Sequence, residues 1–335
     1  MVQGGMLRTI LCRSENNYTI CDDDLDSLET LKRPRRNVVL TTCAVLAVFV
    51  CIQFTTFFLL RDTSPKTTYD RNDDSKLFNM INVSSAAQKL PKKGQLFCWV
   101  QTSPLYHNSR SLAINETWIH RCDHGQLFTS EQFNDSRIPY STVFAGIPDN
   151  YYNLFFKSRY AFHHIYTKIS SEFEWYLKAD DDTYVIVENL RAYLSTLNPD
   201  EPHYLGYQLK PYLKNGYNGG GAGYVLSRAA LKIFAEQLYQ NSTLCPDDIY
   251  EDVGIARCLA NVGIYPEDTR NAHGQNRFNT FSPSDTFHQT KASEGWIMHK
   301  EAKGFAAFAS DLISFHHLKP DEIRLFEILL YKTKH

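Results

Sequence analysis

The sequence predicts an α/β fold with a mainly parallel sheet, which follows a single membrane-spanning segment. The alternation of two kinds of segment predicts the sheet and its helices. Short apolar runs, such as residues 96–100 and 175–179, alternate with amphipathic segments such as 188–197, and this alternation is typical of strands connected by helices. A separate observation predicts the membrane segment: residues 38–60 form a stretch of 23 residues without a charge.

Length and composition limit the functional classes. The chain has 335 residues, of which 43% are hydrophobic, and this is enough for a packed core. Its 35 Lys and Arg residues nearly balance 37 Asp and Glu residues, so a nucleic-acid partner is not expected. At roughly 150 residues per domain, this length allows two domains or one large domain with additional segments.

The uncharged stretch is long enough for a bilayer, because about 20 apolar residues cross the hydrocarbon core. Basic residues within 32–36 precede it, and the positive-inside rule then places the N-terminus in the cytosol. The prediction is a type II signal anchor at 38–60, after a cytosolic tail at 1–37. A cleaved signal peptide and a buried core helix are the alternatives. Residues 61–93 are polar and aperiodic, which predicts a stem, so the lumenal domain is expected at 94–335.

The segment after the anchor has features of a secreted chain. Sequons for N-glycosylation begin at Asn82, Asn115, Asn134 and Asn241. The cysteines on this side of the anchor are Cys98, Cys122, Cys245 and Cys258. An even number of cysteines in an oxidising compartment predicts disulfides, and three pairings are possible. The two pairs that are closest in sequence, Cys98–Cys122 and Cys245–Cys258, are favoured, and four free buried thiols are the alternative.

The elements of the domain are predicted from local patterns. Apolar runs predict strands at 96–100, 127–128, 141–144, 175–179, 203–209 and 225–226. Helical periodicity predicts helices at 111–120, 153–169, 188–197, 227–239 and 249–260. Ser227 is a suitable N-cap for the fourth of these helices, and Gly263 is placed to end the fifth.

Three aspartates follow the strand predicted at 175–179. Asp180, Asp181 and Asp182 repel one another, so their burial needs a counter-charge. Alternate side chains at a strand end share a face, so Asp180 and Asp182 are expected to bind one cation while Asp181 points elsewhere. Carboxylate oxygens suit Mg²⁺ or Mn²⁺. A solvated acidic turn is the alternative, but the apolar strands on both sides place the turn at the ligand-binding edge of the sheet.

The aspartates lie in a segment that resembles a known family. Residues 175–185 are similar to the DxD segment of glycosyltransferase family 31. Two further segments, 210–227 with its Gly-Gly-Gly-Ala-Gly run and 250–258 with its Tyr-Glu-Asp-Val-Gly run, resemble the core 1 β1,3-galactosyltransferase group of that family. The similarity covers about residues 95–318.

The resemblance implies a GT-A fold, which is a Rossmann-like α/β architecture. It implies inverting transfer of galactose from UDP-galactose to the 3-OH of GalNAc on Ser or Thr of glycoproteins. The Mn²⁺ ligands that it implies are Asp180, Asp182 and His316. The contacts with UDP that it implies are Thr102, Lys157, Asp180 and Asp181. For His316 the alternative is a histidine satisfied in the core or on the surface, and the neighbouring His317 is expected to be structural.

The resemblance also implies the residues on the acceptor side. Inversion in one displacement needs a base beside the acceptor hydroxyl, and Asp252 matches the family base, with Glu251 as the second choice. Compensation of a helix dipole is the alternative for this pair. The acceptor contacts implied are Tyr217, Gly220, Glu251 and Trp296. The glycines at 219–223 are expected to let backbone approach a sugar, with an ordinary tight loop as the alternative.

The chain departs from the family pattern at 149–151, 294–297 and 305–309. Two other functions therefore stay open: another β1,3-transferase of the family with a different donor or acceptor, and a non-catalytic chaperone of the secretory pathway. A chaperone has no need for the carboxylate cluster, and this favours an enzyme. The resemblance implies a location in the Golgi membrane, with a homodimer and a dedicated chaperone as candidate partners.

Overall fold

The computed structural model describes residues 12–14, 17–19, 74–291 and 295–333. The predicted anchor at 38–60 lies outside the described residues, as do 20–37 and 61–73. Among the described residues, no helix combines the length and the apolar character that crossing a bilayer requires.

The chain divides into two compact units, Met1–Lys66 and Thr67–His335. In the first unit, β1 (Cys12–Ser14) pairs with β2 (Asn17–Thr19) in antiparallel register. The second unit contains every residue that the sequence predicts for catalysis and binding.

The strands of the second unit differ widely in length. In chain order they are β3 (Lys93–Gln101), β4 (His124–Phe128), β5 (Tyr140–Ser141), β6 (Glu172–Asp180), β7 (Tyr184–Val185), β8 (Tyr204–Gly206), β9 (Gln208–Leu209), β10 (Tyr217–Asn218), β11 (Tyr224–Ser227), β12 (Pro266–Glu267), β13 (Phe278–Asn279) and β14 (Ser314–Phe315). The two longest of these, β3 and β6, each have nine residues and contain the strands predicted at 96–100 and 175–179.

The helices of this unit confirm most of the predicted ones. In chain order they are α1 (Asp74–Phe78), α2 (Ser85–Gln88), α3 (Arg110–Asn115), α4 (Leu154–His164), α5 (Val187–Leu194), α6 (Arg228–Ile233), α7 (Glu251–Ala260), α8 (Pro283–His288) and α9 (Pro320–Tyr331). Helices α4 and α6 continue as π-helical turns at Ile165–Ile169 and Phe234–Leu238, which accounts for the longer helices predicted there. Ser227 caps α6 as predicted, because its Oγ accepts a hydrogen bond from the N–H of Ala230.

A mixed sheet of seven strands occupies the centre of the described part of this unit, in the order β12-β8-β11-β6-β3-β4-β5. Four of its six pairings are parallel, and β11 runs antiparallel to both of its neighbours. The prediction of a mainly parallel α/β sheet is therefore confirmed. Residues 96–101 of β3 are all buried, which explains why this strand has a continuous apolar run and not an alternating one.

The C-terminal ends of β3 and β6 lie side by side. Gln101 pairs with Asp180 at the last position of their ladder, so the next residues, Thr102 and Asp181, lie at the edge of the sheet where ligands of such folds bind. A second sheet, β13-β14-β7, pairs Ser314–Phe315 with the strand that follows the aspartates. This pairing brings His316, the residue after β14, to the same edge.

Several predicted elements are shorter in the structure, and the helix predicted at 188–197 ends at Leu194. The strand predicted at 141–144 ends at Ser141. The helix predicted at 111–120 stops at the end of α3, before a 3₁₀ turn at Trp118–Arg121. Thr117 explains this break, because its hydroxyl donates to the carbonyl of Ala113 at 2.6 Å and so competes with the helical backbone.

The described part of the predicted stem, within 61–93, packs on the domain. Leu77 in α1 and Ala87 in α2 are almost fully buried. The hydroxyl of Ser84 accepts hydrogen bonds from the N–H groups of Ala87 and Tyr140. A free stem would expose these apolar side chains to water. The compact unit therefore begins earlier than the sequence pattern predicts.

The predicted glycosylation sites differ in their exposure to solvent. Asn82, Asn134 and Asn241 are exposed, whereas Asn115 is half-buried at the end of α3. Three of the four predicted sequons are therefore accessible on the folded surface.

Both favoured disulfides are present, Cys98–Cys122 and Cys245–Cys258. The first connects β3 to the segment before β4, and the second connects α7 to the segment that precedes it. The alternative of four free thiols is therefore wrong for this structure.

We expect the Cys98–Cys122 disulfide to contribute about 3 kcal/mol to the free energy of unfolding, because it closes a loop of 24 residues in the unfolded chain. The double variant Cys98→Ala, Cys122→Ala should lose this amount. Loss of Cys245–Cys258, whose separation is 13 residues, should cost slightly less. Urea unfolding of the full-length chain, followed by tryptophan fluorescence, measures both losses. Unchanged stability in both double variants would contradict this expectation.

Candidate active site

The acidic turn at 180–182 borders a cavity of about 660 Å³ at the C-terminal ends of β3 and β6. The predicted site residues that line this cavity are Thr102, Lys157, Asp180, Asp181, Asp182, Gly220, Glu251, Asp252 and His316. Tyr217 and Trp296, which the structure also describes, are not part of its wall. The fold thus brings the predicted donor, cation and base residues together from distant parts of the sequence.

Hydrogen bonds from three parts of the fold hold the acidic turn. Trp118 Nε1 donates to the carbonyl of Thr183 at 3.0 Å, and Thr183 Oγ1 donates to the carbonyl of Gly221 at 2.6 Å. The N–H of Leu318 donates to the carbonyl of Asp182 at 3.0 Å. The turn is therefore tied to the segment after α3, to the glycine-rich loop and to the segment after β14.

Asp181 is buried and faces two donors. Thr102 Oγ1 donates to Asp181 Oδ2 at 2.6 Å, and Arg110 Nη1 lies 3.2 Å from Asp181 Oδ1. Burial raises the pKa of Asp181 to about 6, although the hydrogen bond from Thr102 opposes the rise. Arg110 Nη1 also lies 3.2 Å from Asp182 Oδ2, so one guanidinium compensates two carboxylates.

His316 is the second partner of Asp182. Its Nε2 lies 3.1 Å from Asp182 Oδ1, and its Nδ1 donates to the carbonyl of Thr280 at 3.2 Å. Burial lowers the pKa of His316, but its hydrogen bonds with Asp182 and Thr280 and the charges of Asp182 and Asp180 together outweigh burial and leave this pKa raised. A Cβ atom on Gly221 would lie only 1.9 Å from the His316 ring. At this position the glycine makes room for a protein side chain.

Among the described residues, one group of at least three side chains has the spacing of metal ligands. Asp182, His316 and His317 each offer a ligand atom, and these atoms lie within 4.8 Å of one another. A carboxylate with imidazoles suits divalent first-row metals such as Mn²⁺. The Nδ1–H of His316 points at a backbone carbonyl, which is the arrangement that orients an imidazole ligand. These residues therefore fit a divalent cation.

Asp180, the remaining predicted ligand, lines the cavity but faces a cation of the protein. Lys178 Nζ donates to Asp180 Oδ1 at 2.6 Å and lies 3.6 Å from Glu251 Oε2. Burial would lower the pKa of Lys178, but these carboxylates raise it above its usual value. Lys178 therefore stays charged and compensates both acids.

Asp252 is better placed than Glu251 to act as a base. Both oxygens of the buried Glu251 are engaged, since Tyr224 Oη donates to Oε1 at 2.7 Å and Lys178 faces Oε2. Both oxygens of Asp252 instead accept from backbone N–H groups, Oδ2 from Gly220 at 3.2 Å and Oδ1 from Val253 at 2.9 Å, so that among the described residues no side-chain cation is paired with this carboxylate. Burial and the charge of Glu251 raise the pKa of Asp252 to about 6. This value suits a general base at neutral pH, whereas Glu251 supports its neighbour.

Lys157 lines the cavity, but a neighbouring acid compensates its charge. Its Nζ is bonded to Asp149, and its side chain is buried beside the ring of Phe144. Burial lowers the pKa of Lys157, and Asp149 opposes this shift. Asp149 belongs to a segment that departs from the family pattern. The predicted UDP contact by Lys157 would therefore share this ammonium with Asp149.

Tyr217 and Trp296, the two aromatic residues among the predicted acceptor contacts, belong to an aromatic cluster with Tyr212 and Tyr250. Tyr217 is only 2% exposed, so its ring is not accessible for stacking on a sugar. Trp296 is 46% exposed and meets Tyr212 edge-on, with 5.8 Å between ring centroids. Tyr212 stacks on Tyr250 at 5.6 Å. Of these two residues, Trp296 alone has a ring that solvent reaches. Tyr151 on the cavity wall is a further exposed aromatic ring.

Four charged or ligating side chains of the cavity do not follow from the sequence pattern: Arg110, Asp149, Lys178 and His317. The position of Lys178 in the sequence could have indicated its role, because it lies two residues before Asp180 and therefore on the same face of the strand. His317 adjoins His316, but neighbours in an extended strand point to opposite faces. Arg110 has no local signal, since nothing in α3 indicates that its first residue reaches a cavity.

Comparison with known proteins gives a family match. Residues 92–310 match the family model described as Fringe-like. Glycoprotein-N-acetylgalactosamine 3-beta-galactosyltransferase 1 of Xenopus laevis is 31% identical over 263 residues, which cover 77% of this chain and 72% of the relative. Chondroitin sulfate synthase 3 of Homo sapiens is 28% identical over 225 residues, which cover 61% of this chain and 24% of the relative.

Among solved structures, a glycosyltransferase involved in the glycosylation of the major capsid of PBCV-1 shares 14% sequence identity and has a TM-score of 0.39. The match covers 70% of this chain and all of that one. The family assignment stands on the Fringe-like match, which includes the motifs at 175–185, 210–227 and 250–258, and on the identity and coverage of the Xenopus relative. The chain belongs to the Fringe-like family, as a glycosyltransferase of family 31.

Proposed function

We propose that this chain is a Mn²⁺-dependent, inverting β1,3-galactosyltransferase of the core 1 type with a GT-A fold. The proposed reaction moves galactose from UDP-galactose to the 3-OH of GalNAc on Ser or Thr of a glycoprotein. The observation that carries the proposal is that the same cavity is lined by the proposed cation ligands Asp182 and His316 and by the proposed base Asp252. The Xenopus relative, named as a 3-beta-galactosyltransferase of glycoprotein N-acetylgalactosamine, supports the proposed donor and acceptor.

The donor side of the proposed site is the edge formed by β3 and β6. Asp182 and His316 would hold the cation there, next to Thr102 and Asp181 at the strand ends. A bound divalent cation offsets the negative charge that grows on a departing diphosphate. Arg110 adds a positive charge on the same side, because it lies against both Asp181 and Asp182.

Asp252 performs the proton transfer in the proposed mechanism. Its carboxylate takes the proton of the acceptor 3-OH while that oxygen attacks C1 of galactose and the bond from C1 to the UDP oxygen breaks. One displacement on the face opposite UDP inverts the anomeric centre. The N–H groups of Gly220 and Val253 hold the two oxygens of Asp252, and Lys178 with Tyr224 holds the adjacent Glu251.

The proposal includes a single-pass type II orientation in the Golgi membrane, with residues 38–60 as the anchor and the catalytic domain in the lumen. Two disulfides in the domain support an oxidising compartment. The exposed sequons at Asn82, Asn134 and Asn241 agree with this orientation.

The central experiment offers UDP-galactose, Mn²⁺ and a GalNAc-Thr glycopeptide to the full-length chain and detects the added hexose by mass spectrometry. Transfer that is lost with EDTA and in Asp182→Asn supports the proposal. UDP binding without transfer to this peptide indicates that the chain is a β1,3-transferase of the family with a different donor or acceptor. A folded chain that neither binds UDP nor transfers sugar would overturn the catalytic assignment and favour a chaperone.

Asp252→Asn should lower kcat by at least about 100-fold, because an amide does not accept the proton of the acceptor hydroxyl. Affinity for Mn²⁺ and UDP should stay within about threefold, since Asp252 lies outside the cation ligand group. Initial rates and calorimetric titrations measure these quantities. Glu251→Gln is the matched comparison, and a larger loss of kcat there than in Asp252→Asn would exchange the two roles.

The pH profile of the reaction should report Asp181, whose pKa is also raised to about 6, together with Asp252. The pKa of Asp252 is raised to about 6, and only the ionised carboxylate accepts a proton, so kcat/KM should fall as the pH decreases below about 6 and level off above it. Mn²⁺ must be saturating at each pH, because His316 also binds a proton as the pH falls. A flat profile between about pH 5 and pH 8 argues against Asp252 as the base.

Gly221→Ala should weaken Mn²⁺ binding at least about tenfold, because the new Cβ would overlap the His316 ring and displace it from Asp182. Gly295→Ala is the control, since a Cβ there meets no atom within 4 Å. Electron paramagnetic resonance of free Mn²⁺ measures the affinity of both variants. Equal affinity in the two would show that His316 does not depend on this space.

A further inference from the structure

We infer that His317 is a direct ligand of the divalent cation, so that this chain binds the cation through one carboxylate and two imidazoles. The inference rests on the proposed function, because it concerns the cation in the same cavity. It changes the ligand set that the family resemblance implies. In that set His317 has no role, and Asp180 takes the third position beside Asp182 and His316.

The backbone turns His317 toward the other two ligands. Strand β14 ends at Phe315, and consecutive side chains of an extended strand point to opposite faces. His317 has a φ of +59°, a left-handed conformation that is unfavourable for a residue with a side chain. This conformation interrupts the alternation of side chains between the two faces. The ring of His317 therefore stacks on that of His316, with 3.8 Å between ring centroids and 27° between ring planes. Unfavourable conformations of this kind cluster at ligand sites.

The ligand atoms of the three residues are close enough for one ion. They lie within 4.8 Å of one another, near the separation of about 4.5 Å that atoms on opposite sides of one cation reach. The segment is also held in place, because the N–H of Leu318 donates to the carbonyl of Asp182 at 3.0 Å. Of the three side chains, that of His317 is the most exposed and lies on the cavity wall. A cation would therefore enter on its side.

Asp180, which His317 replaces in this ligand set, has another partner. Its Oδ1 lies 2.6 Å from Nζ of the buried Lys178. A cation bound by Asp180 would lie close to this buried ammonium, and repulsion between the two positive charges disfavours that ligation. Within the described part of the chain, the ring of His317 makes no hydrogen bond or ion pair, so ligation by His317 breaks none.

The ligand set has a consequence for metal preference. Two imidazoles and one carboxylate are softer donors than one imidazole and two carboxylates. Affinity should rise from Mn²⁺ to Co²⁺ and Zn²⁺ with either ligand set, but with two imidazoles His317 should contribute more to the binding of Co²⁺ and Zn²⁺ than to that of Mn²⁺.

The test measures binding of the metals alone to the full-length chain, without donor or acceptor. The visible absorption of Co²⁺ reports its ligands, Zn²⁺ is measured by displacement of Co²⁺, and Mn²⁺ by paramagnetic resonance. His317→Asn removes the imidazole and keeps a residue type that tolerates positive φ. His120→Asn is the matched control at an exposed histidine outside the cavity. His316→Asn reports on the cation site as a whole.

We expect His317→Asn to weaken Co²⁺ and Zn²⁺ at least about tenfold, to weaken Mn²⁺ less, and to change the Co²⁺ spectrum. His120→Asn should change none of these. Circular dichroism and Tm check folding, and His317→Gly, which adopts positive φ freely, replaces the asparagine variant if that variant does not fold.

Two other results would overturn the inference in distinguishable ways. An unchanged Co²⁺ affinity and spectrum in His317→Asn, together with loss of binding in His316→Asn, removes His317 from the ligand set and leaves the proposed function intact. A wild-type chain that binds none of the three metals overturns the inference together with the cation-dependent function.

Discussion

The negative charge of the acidic turn at 180–182 is the constraint on which the site depends. Three adjacent carboxylates at a sheet edge are stable in a folded protein only when each has a cation or a hydrogen-bond donor beside it. Lys178 faces the first, Arg110 faces the second and third, and His316 faces the third. These partners come from β6, from α3 and from the residue after β14. Charge compensation at the turn therefore requires that distant parts of the chain are folded together.

Space is the second requirement, and the glycine-rich loop supplies it. A Cβ on Gly220 would lie 2.6 Å from Glu251 Oε2, and one on Gly221 would lie 1.9 Å from the His316 ring. The N–H of Gly220 also holds the carboxylate of Asp252. One short loop therefore contacts the cation side and the base side of the cavity. Glycines are needed here because two protein side chains occupy the volume that other residues would fill.

Lys178 couples the two sides electrostatically. Its buried ammonium lies 2.6 Å from Asp180 on the donor side and 3.6 Å from Glu251 beside the proposed base. Charges interact strongly where water is excluded, and Asp180 and Glu251 share the positive charge of Lys178. A change in the charge of one acid therefore changes how well Lys178 balances the other. The same arrangement explains why Asp180 is less available to a cation than Asp182. It also explains why Glu251 supports the base and does not replace it.

Local sequence by itself predicted the central strands and the Ser227 cap and favoured the two disulfide pairs that form, because apolar runs, capping residues and nearby cysteines act over short distances. The family motifs also identified Asp252 among the cavity residues. Tertiary structure alone decided the roles of Arg110 and His317. The first reaches the acidic turn from a separate helix, and the second depends on a positive φ that no local pattern indicates. It likewise decided that Leu77, in the predicted stem, is buried in the domain. Burial and ion pairing depend on which distant segments meet, and this is settled only when the whole chain folds.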